Sequence, residues 1–367
     1  MKGICEKKFL QQAALLCEKI SGNNPTLPIL NAVLISASKN KLIFTSTNLE
    51  IALSVSIPAQ IKKEGKVAIP SKLFSGFISS LSTNEKIEFI GVNNNLIVAT
   101  PNSSTTLKGY PVSDFPDLPK IKENKSFTVS VSDFVLGLKS VYYSTSLSEM
   151  KPEINSVFVS SLKKNPLTFV STDSFRLAEK TLPYSFSDFV SFLLPHKVVV
   201  ECIRVFENQE GDLKIKPHEN NIVLESKNIK FVSRLVDGSF PNYKEIIPSG
   251  FTNTVNIEKR RFSDALKTAM MFCGKLNEMK IKIYSGENFI EFQTNNSDLG
   301  EHVVKIPSKM DGDDLSIVFN YRYLSDCLTS INSDSISLKF AGDGKALIVT
   351  GFDDNSFRYL VMPMKNL

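Results

Sequence analysis

The sequence repeats itself at an offset of 125 residues, and this repeat limits the folds that the chain can adopt. Thr47 and Thr172 are 125 residues apart, as are Pro70 and Pro195, and Asn320 lies a further 125 residues after Pro195. The third copy keeps this register more loosely than the first two. A unit of this length is too long for a solenoid repeat and matches a whole small domain. The sequence therefore predicts three domains of one fold, at 1–122, 123–250 and 251–367.

Composition places further limits on the class of protein. The 367 residues are 42% apolar, enough for each domain to bury a core. No stretch approaches the roughly 18 uninterrupted apolar residues of a membrane helix, and the first residues do not form a signal-peptide core. The five cysteines show no paired spacing, which predicts reduced thiols and no zinc site. We expect a cytoplasmic protein with neither a metal nor a cofactor.

Each repeat opens with a predicted amphipathic helix, because apolar residues recur there on one helical face. The opening helices are expected at 7–20, 132–143 and 258–272. A second helix is predicted after Pro70, Pro195 and Asn320. Asn320 is also expected to cap its helix, since its side chain can accept bonds from amides that have no intrahelical partner.

Between the two helices of each repeat, apolar and polar residues alternate on both sides of a polar turn, which is typical of a β-hairpin. The hairpins are expected at 42–58, 167–183 and 289–307. Helices with one apolar stripe bury it by lying on one face of an antiparallel sheet. The repeat unit is therefore predicted to be an α+β domain with two helices on antiparallel sheets.

Positive charge is concentrated on the six predicted helices. They carry six acidic residues and twelve basic ones, a surplus of six positive charges in a chain whose net charge is +5. The basic residues are Lys7, Lys8, Lys19, Lys72, Lys139, Lys197, Arg204, Lys259, Arg260, Arg261, Lys267 and Arg322. A helical surface that faces a polyanion would show this pattern, because phosphate attraction needs no base readout. Ordinary solvated helix faces are the alternative interpretation.

The sequence contains few of the residue patterns that are typical of catalytic sites. Its three histidines, His196, His218 and His302, have no metal-ligand spacing, and no phosphate-binding glycine loop or nucleophile elbow is present. Asp173 and Arg176 are the one conceivable catalytic pair. A turn aspartate that pairs with a nearby arginine explains them better, since acid-base chemistry would need a further polar partner. We expect a protein that is not an enzyme.

Motifs spread over the whole chain resemble those of the bacterial DNA polymerase III beta subunit, the DNA sliding clamp. They are TLPIL (26–30), TNLE (47–50), YPVSDFPDLP (110–119), TDSFRLA (172–178), SRLVDGSFPNYKEIIP (233–248), FNYRYL (319–324) and YLVMPMKNL (359–367). The resemblance implies three tandem DNA-clamp domains in a head-to-tail homodimer, a ring with helices inside and sheets outside. Such a ring would encircle duplex DNA without reading its sequence and would tether the replicative polymerase.

The resemblance also implies a hydrophobic pocket for partner peptides of the Gln-Leu-x-Leu-Phe type. Its residues here would be Ile154, Thr172, Ser174, Phe175, Arg176, Leu177, Pro241, Ile246, Asn320, Tyr323, Val361, Met362, Pro363 and Met364. Adaptable Met side chains suit Leu and Phe from many peptides. The implied partners are the polymerase III catalytic subunit, the clamp loader, other polymerases, ligase and mismatch-repair proteins.

Some positions depart from the family pattern. Ser174 and Phe175 stand where the motif usually has Gly-His, which predicts a bulkier and less polar pocket floor, and Glu245 replaces a frequently basic residue. Pro152 and Glu153 stand where some members carry tyrosines near DNA, which weakens a case for DNA contact in that loop. The candidates for DNA contact are Lys8, Lys19, Asn24, Lys72, Lys139, Lys197, Arg204, Lys259 and Lys267.

Two interpretations remain open from the sequence. One is a processivity clamp that dimerises through its first and third domains, with Phe74 and its neighbours and the strand near 270–272 as candidate interface residues. The other is a DNA-binding scaffold that shares the fold without closing into a ring.

Overall fold

The computed structural model describes residues 1–22, 26–82, 86–117, 126–161, 165–186 and 190–364. Asn24, predicted to contact DNA, and the last three residues of the chain lie outside the described residues. The chain divides into two compact units. The first contains residues Met1–Val135 and Val200–Leu235, and the second contains Leu136–Val199 and Val236–Leu367.

Six helices occur in the described residues, two in each sequence repeat. They are α1 (Lys7–Ile20), α2 (Ser71–Ser80), α3 (Val131–Val141), α4 (His196–Phe206), α5 (Lys259–Met270) and α6 (Tyr321–Asp326). The predicted opening helices are confirmed, although α3 and α5 end two residues early. Asn320 caps α6 as predicted, because its side-chain oxygen accepts a hydrogen bond from the Arg322 amide at 3.0 Å.

The strands are numbered in chain order. The first repeat contains β1 (Lys2–Glu6), β2 (Ala32–Ser38), β3 (Lys41–Thr47), β4 (Ile51–Pro58), β5 (Gln60–Lys63), β6 (Gly65–Pro70), β7 (Lys86–Val92), β8 (Asn95–Thr100) and β9 (Ser103–Leu107). The second contains β10 (Phe127–Ser130), β11 (Ser156–Ser161), β12 (Leu167–Thr172), β13 (Arg176–Leu182), β14 (Val190–Pro195), β15 (Asp212–His218), β16 (Asn221–Ser226) and β17 (Ile229–Arg234). The third contains β18 (Asn253–Glu258), β19 (Glu278–Tyr284), β20 (Phe289–Asn296), β21 (Gly300–Pro307), β22 (Lys309–Asp311), β23 (Leu315–Asn320), β24 (Ser335–Phe340), β25 (Leu347–Gly351) and β26 (Phe357–Val361).

These strands form four antiparallel sheets, two in each unit. In the first unit the strand orders are β5-β1-β7-β8-β9 and β10-β15-β16-β17-β4-β3-β2-β6. In the second unit they are β14-β11-β12-β13-β26-β25-β24-β18-β22 and β21-β20-β19-β23. Helices α1 and α2 pack together over β2 to β4, and α5 packs against α6, β20 and β21. The predicted α+β fold, with two helices over antiparallel strands, is confirmed.

Strand pairing joins one repeat to the next inside each large sheet. In the first unit β17 of the second repeat pairs with β4 of the first, with Phe231 opposite Leu53. In the second unit β26 of the third repeat pairs with β13 of the second, with Leu360 opposite Leu177. Both junctions link the last strand of one repeat to the second hairpin strand of the repeat before it.

The hairpin turn of the first repeat is held by its own polar side chains. The Thr47 hydroxyl donates to the Ile51 carbonyl at 2.8 Å and accepts from the Leu49 amide at 3.1 Å. The Asn48 Oδ1 accepts from the amides of Glu50 and Ile51. Leu49 takes the left-handed conformation that this turn requires, with φ of 76°.

The equivalent turn of the second repeat has the same bonds 125 residues later. The Thr172 hydroxyl donates to the Arg176 carbonyl at 2.7 Å and accepts from the Ser174 amide at 3.2 Å. The Asp173 Oδ1 accepts from the amides of Phe175 and Arg176, each at 3.0 Å. Ser174 has φ of 78°, close to that of Leu49. The sequence repeat is therefore also a repeat of local geometry.

Phe74 belongs to the core, which corrects its prediction as a dimer-interface residue. Its side chain is 1% exposed and its ring stacks on Phe44 with centroids 5.9 Å apart. It faces inward because α2 presents Phe74 and Ile78 on the side that packs on the sheet. The neighbouring Leu73 points outward and is 50% exposed.

We predict that Phe74→Ala lowers the free energy of unfolding by about 3 to 5 kcal/mol, because it opens a cavity in a packed core. Leu73→Ala, the adjacent control, should change it by less than about 1 kcal/mol. Urea denaturation of both variants measures the difference. A larger loss for Leu73→Ala would contradict this placement of the two side chains.

Candidate functional site

A cavity of about 710 Å³ opens in the second unit, where the β12–β13 turn, the end of β26 and two loops meet. This volume is in the range of small-ligand and short-peptide sites. The lining residues are Thr172, Ser174, Arg176, Ile246, Pro248, Ser249, Gly250, Ala341, Gly344, Lys345, Ala346, Leu360 and Met362.

One side of the cavity is formed by a segment that we call the strap, residues 240–248. Its single 3-10 turn buries Tyr243, whose hydroxyl donates to Glu179 Oε2 at 2.6 Å. Phe240 stacks on Phe158 with ring centroids 5.1 Å apart. These contacts fix the strap on the sheet and leave Ile246 54% exposed beside the cavity.

An apolar cluster supports the floor from beneath. It consists of Val170, Leu177, Tyr243, Ala346, Ile348 and Leu360, all buried, with Phe158, Phe240 and Ile247 packed against it. Because these residues come from β12, β13, β25, β26 and the strap, the cluster depends on the β13–β26 junction. The cavity is built on a packed sheet rather than on a free loop.

Arg176 is the most constrained polar residue of the cavity. Its Nε donates to Asp173 Oδ2 at 2.8 Å and its Nη1 donates to Asp326 Oδ2 at 2.5 Å. Its Nη2 donates to the Tyr143 carbonyl at 2.6 Å, and the guanidinium lies 4.4 Å from the Tyr323 ring centroid. The interpretation of Asp173 and Arg176 as a turn aspartate and its paired arginine is confirmed. These contacts hold the Arg176 guanidinium in one orientation at the cavity wall.

The residues after β26 are held by backbone bonds to the β12–β13 turn and to β23. The Met362 amide donates to the Phe175 carbonyl at 2.8 Å, and the Met364 amide donates to the Val318 carbonyl at 2.8 Å. Met362 remains 40% exposed and lines the cavity. A flexible apolar side chain is thus presented from an ordered backbone.

The structure brings together five of the predicted pocket residues: Thr172, Ser174, Arg176, Ile246 and Met362. Four others lie around this group without lining the cavity: Pro241 in the strap, Tyr323 against Arg176, and Pro363 and Met364 after β26. Asn320 is occupied as the cap of α6.

Four predicted pocket residues do not line this cavity. Ile154, Leu177 and Val361 are buried next to it in the chain or in the sheet and are absent from its lining. Phe175 is 61% exposed at the turn and does not line this cavity, so its place in the pocket floor stays a prediction.

The sequence interpretation missed the loop residues of the cavity. These are Pro248 at the end of the strap, Ser249 and Gly250 after it, Ala341, Gly344, Lys345 and Ala346 between β24 and β25, and Leu360 in β26. The polar AGDGKA turn contains Gly342 and Gly344 at positive φ, which marked it as a loop but not as part of a site.

The basic helix residues differ in exposure and in partners. Lys8, Lys19, Lys72, Lys197, Arg204 and Lys267 are exposed, whereas Lys139 and Lys259 are half-buried. Four of the exposed ones have carboxylate partners, in the pairs Lys8–Glu6, Lys197–Glu149, Arg204–Glu201 and Lys267–Asp264. The hydrogen bond from Lys197 lowers the pKa of Glu149. Exposed pairs of this kind contribute little to stability, so a phosphate can compete for them.

Residues 270–272, the second candidate for the dimer interface, do not form the predicted strand. Met270 is the last residue of α5, and a turn rather than a strand follows it. Met270 and Met271 are exposed, and Phe272 stacks on His302 of β21 at 5.6 Å. Exposed Leu299 and Val303 extend this apolar surface along the β21 hairpin.

In the described part of the chain, no cluster of three His, Cys, Asp or Glu side chains occurs that could hold a metal ion. Burial raises the pKa of the Cys5 and Cys17 thiols to about 12 and that of Cys273 to about 11, which keeps them protonated near neutral pH. Within the same residues, no helix has both the length and the apolar character needed to cross a membrane.

Three tandem α+β domains joined through shared antiparallel sheets define a protein of the sliding-clamp fold. Solved structures agree over the full length of both chains. The DNA polymerase III subunit beta from Pseudomonas aeruginosa is 23% identical with a TM-score of 0.94. The DNA polymerase sliding clamp from Bacillus subtilis is 23% identical with a TM-score of 0.93.

Family models identify the chain more closely. Those of the DNA polymerase III beta subunit match at residues 1–119 for the N-terminal domain, 128–242 for the central domain and 244–365 for the C-terminal domain. The chain belongs to the DNA polymerase III beta subunit family. It is 25% identical to the beta sliding clamp of Staphylococcus aureus and 26% identical to that of Staphylococcus epidermidis, over 93% of each chain.

We predict that Ser174→Gly raises the free energy of unfolding by about 0.5 kcal/mol. The left-handed conformation costs a non-glycine residue about 1 to 2 kcal/mol, and the extra chain entropy of Gly offsets about 0.5 to 1 of this. Ser174→Val should lower stability by more than about 1 kcal/mol, because β-branched residues fit this region worst. Thermal and urea unfolding measure both variants, and a destabilised Gly variant would refute the strained turn.

Proposed function

We propose that this chain is a noncatalytic sliding clamp, whose homodimeric ring encircles duplex DNA in the cytoplasm and tethers the replicative polymerase. Membership in the beta subunit family supports this proposal. The relatives and solved structures named above are all described as sliding clamps or beta subunits, so they give no support to the alternative of a non-ring scaffold. The domain bounds 1–122, 123–250 and 251–367 are part of the proposal, and each family match falls mainly within one of them.

The strand order of the sheets is the observation that supports a closed ring. Each repeat supplies two four-stranded halves. In the second repeat, the four strands β10-β15-β16-β17 are joined to the hairpin strands of the first repeat by the β17–β4 pairing. In the third repeat, the four strands β18-β24-β25-β26 are joined to the hairpin strands of the second by the β26–β13 pairing. The equivalent halves β1-β7-β8-β9 and β21-β20-β19-β23 end with β9 and β21 as sheet edges.

Pairing of β9 with β21 of a second copy would repeat the same junction between chains. The five-stranded and four-stranded sheets would then form a nine-stranded sheet, matching the largest sheet within the chain. Unpaired edge strands are ready to add another strand. This pairing would also bury the exposed apolar side chains beside β21, which are Met270, Met271, Leu299 and Val303. Two such contacts join two chains head to tail and close a ring of six domains.

Basic helix residues supply the attraction to DNA in this proposal. The exposed candidates are Lys8, Lys19, Lys72, Lys197, Arg204 and Lys267, with Lys139 and Lys259 more enclosed. Phosphate contacts are sequence-independent and exchange easily with salt. A closed ring can therefore stay on DNA through topology while each individual contact remains weak enough to slide.

The cavity is proposed to receive the partner peptides. Ile246, Leu360 and Met362 offer an apolar surface to Leu and Phe side chains, and Arg176 and Thr172 supply polar groups at the rim. The polymerase catalytic subunit and the clamp loader would dock there, and other polymerases, ligase and mismatch-repair proteins would compete for the same site. One shared pocket lets partners exchange on a single clamp.

We predict that a fluorescent Gln-Leu-Ser-Leu-Phe peptide binds saturably and that Ile246→Asp weakens binding at least about tenfold, since it places a charge in an apolar wall. Fluorescence anisotropy measures both affinities. Leu147→Asp is the matched control, because Leu147 is an exposed apolar residue of the same unit that does not line the cavity. Equal affinities for the two variants would place the peptide elsewhere.

A further inference from the structure

A second cavity, of about 620 Å³, lies on the other side of the strap in the same unit. Its floor is the exposed face of β11 to β13 and β26, with Ser160, Thr168, Thr181 and Arg358 among its residues. Tyr243, Lys244 and Ile247 form its strap side. Consecutive strap residues thus serve different cavities, since Ile246 lines the first and Ile247 the second.

The two cavities share strands, which sets the spacing between them. On β26, Leu360 lines the first cavity and Arg358 the second, two residues or about 7 Å apart. An extended linker of about three or four residues covers this distance. A single partner segment can therefore reach both cavities.

Glu179 is the only acidic residue that lines the second cavity within the described residues, and its charge is already engaged. Its Oε2 accepts from the Tyr243 hydroxyl at 2.6 Å and its Oε1 accepts from Arg358 Nη1 at 3.4 Å. Burial, and then the hydrogen bond to Glu179, raise the pKa of Tyr243 well above its ordinary value, so the hydroxyl remains a donor. Each oxygen of this carboxylate thus already accepts one bond from a side chain of the cavity lining.

The free groups of the second cavity are mostly donors. The long, weak contact with Glu179 uses only one nitrogen of Arg358, and among the described residues no acceptor contacts its Nε or Nη2. Lys244 is exposed beside it, and Ser160 presents a hydroxyl on the same face. The positive charges of Lys244 and Arg358 and the negative charge of Glu179 give the lining of the second cavity one net positive charge. A guanidinium fork beside an ammonium suits a carboxylate.

We propose that the second cavity binds an acidic flank of the partner peptide, a short Asp- or Glu-rich segment joined to the motif that occupies the first cavity. The inference rests on the proposed peptide-binding function of the first cavity. The motif would supply most of the affinity, and the flank would distinguish partners that carry carboxylates at the right spacing from those that do not. Linking the two contacts makes the second one effectively intramolecular.

The test compares Gln-Leu-Ser-Leu-Phe with the same peptide extended by Asp-Glu-Asp through three glycines, in one version at its N-terminus and in another at its C-terminus. Fluorescence anisotropy at low salt should show one extended peptide binding about fivefold to tenfold more tightly than the pentapeptide. Lys244→Gln and Arg358→Gln should remove this gain. Arg358→Lys should remove part of the gain in affinity, because it keeps the positive charge but loses the two parallel N–H donors of the guanidinium.

Lys151→Gln is the matched control, because Lys151 is an exposed lysine of the same unit that lines neither cavity. The gain should persist in this variant. The proposal is overturned if neither extension changes the affinity of the unmutated protein by more than about twofold, or if Lys151→Gln removes the gain as fully as Lys244→Gln. If the pentapeptide itself does not bind, the assignment of the first cavity fails. Titration of Asp-Glu-Asp alone against the unmutated protein and Lys244→Gln then decides the second cavity.

Discussion

Antiparallel pairing between strands of successive repeats is the interaction on which the rest of the structure depends. At β17–β4 and β26–β13, residues far apart in sequence are placed opposite each other, as Leu360 is opposite Leu177. Each junction extends a sheet across two repeats and leaves no unpaired edge there. The same rule, applied to the two equivalent edges that remain, accounts for the proposed dimer without any new kind of contact.

The candidate site is a consequence of the β26–β13 junction. That pairing brings the turn after β12 next to the chain end, so that the Met362 amide bonds to the Phe175 carbonyl. It also assembles the buried cluster on which the strap rests. The first unit has the same turn at residues 47–51, but among the described residues the apolar cluster at its junction is smaller and consists of Ala52, Val223 and Val232. The same turn geometry therefore lies beside apolar clusters of different size in the two units.

Much of this was accessible from the sequence, because it is encoded locally. Helix α1, the three hairpins, the Asn320 cap and the Asp173–Arg176 pair follow from periodicity, turn chemistry and short-range hydrogen bonds. Burial of Leu177 and Val361 could not be read in the same way, since it depends on two strands about 180 residues apart in sequence. Phe74 was misassigned for a related reason. Its neighbour Leu73 is equally apolar, and only packing on the sheet decides which of the two faces inward.

Ring closure is the central claim, and retention on DNA tests it most directly. Clamps placed on nicked circular DNA by a clamp loader would be passed through a sizing column in high salt, before and after the circle is cut once. The account predicts that the protein stays with the circle and leaves the linear molecule, and that Val303→Lys at the β21 edge abolishes retention. Equal retention on both forms of DNA would contradict a closed ring.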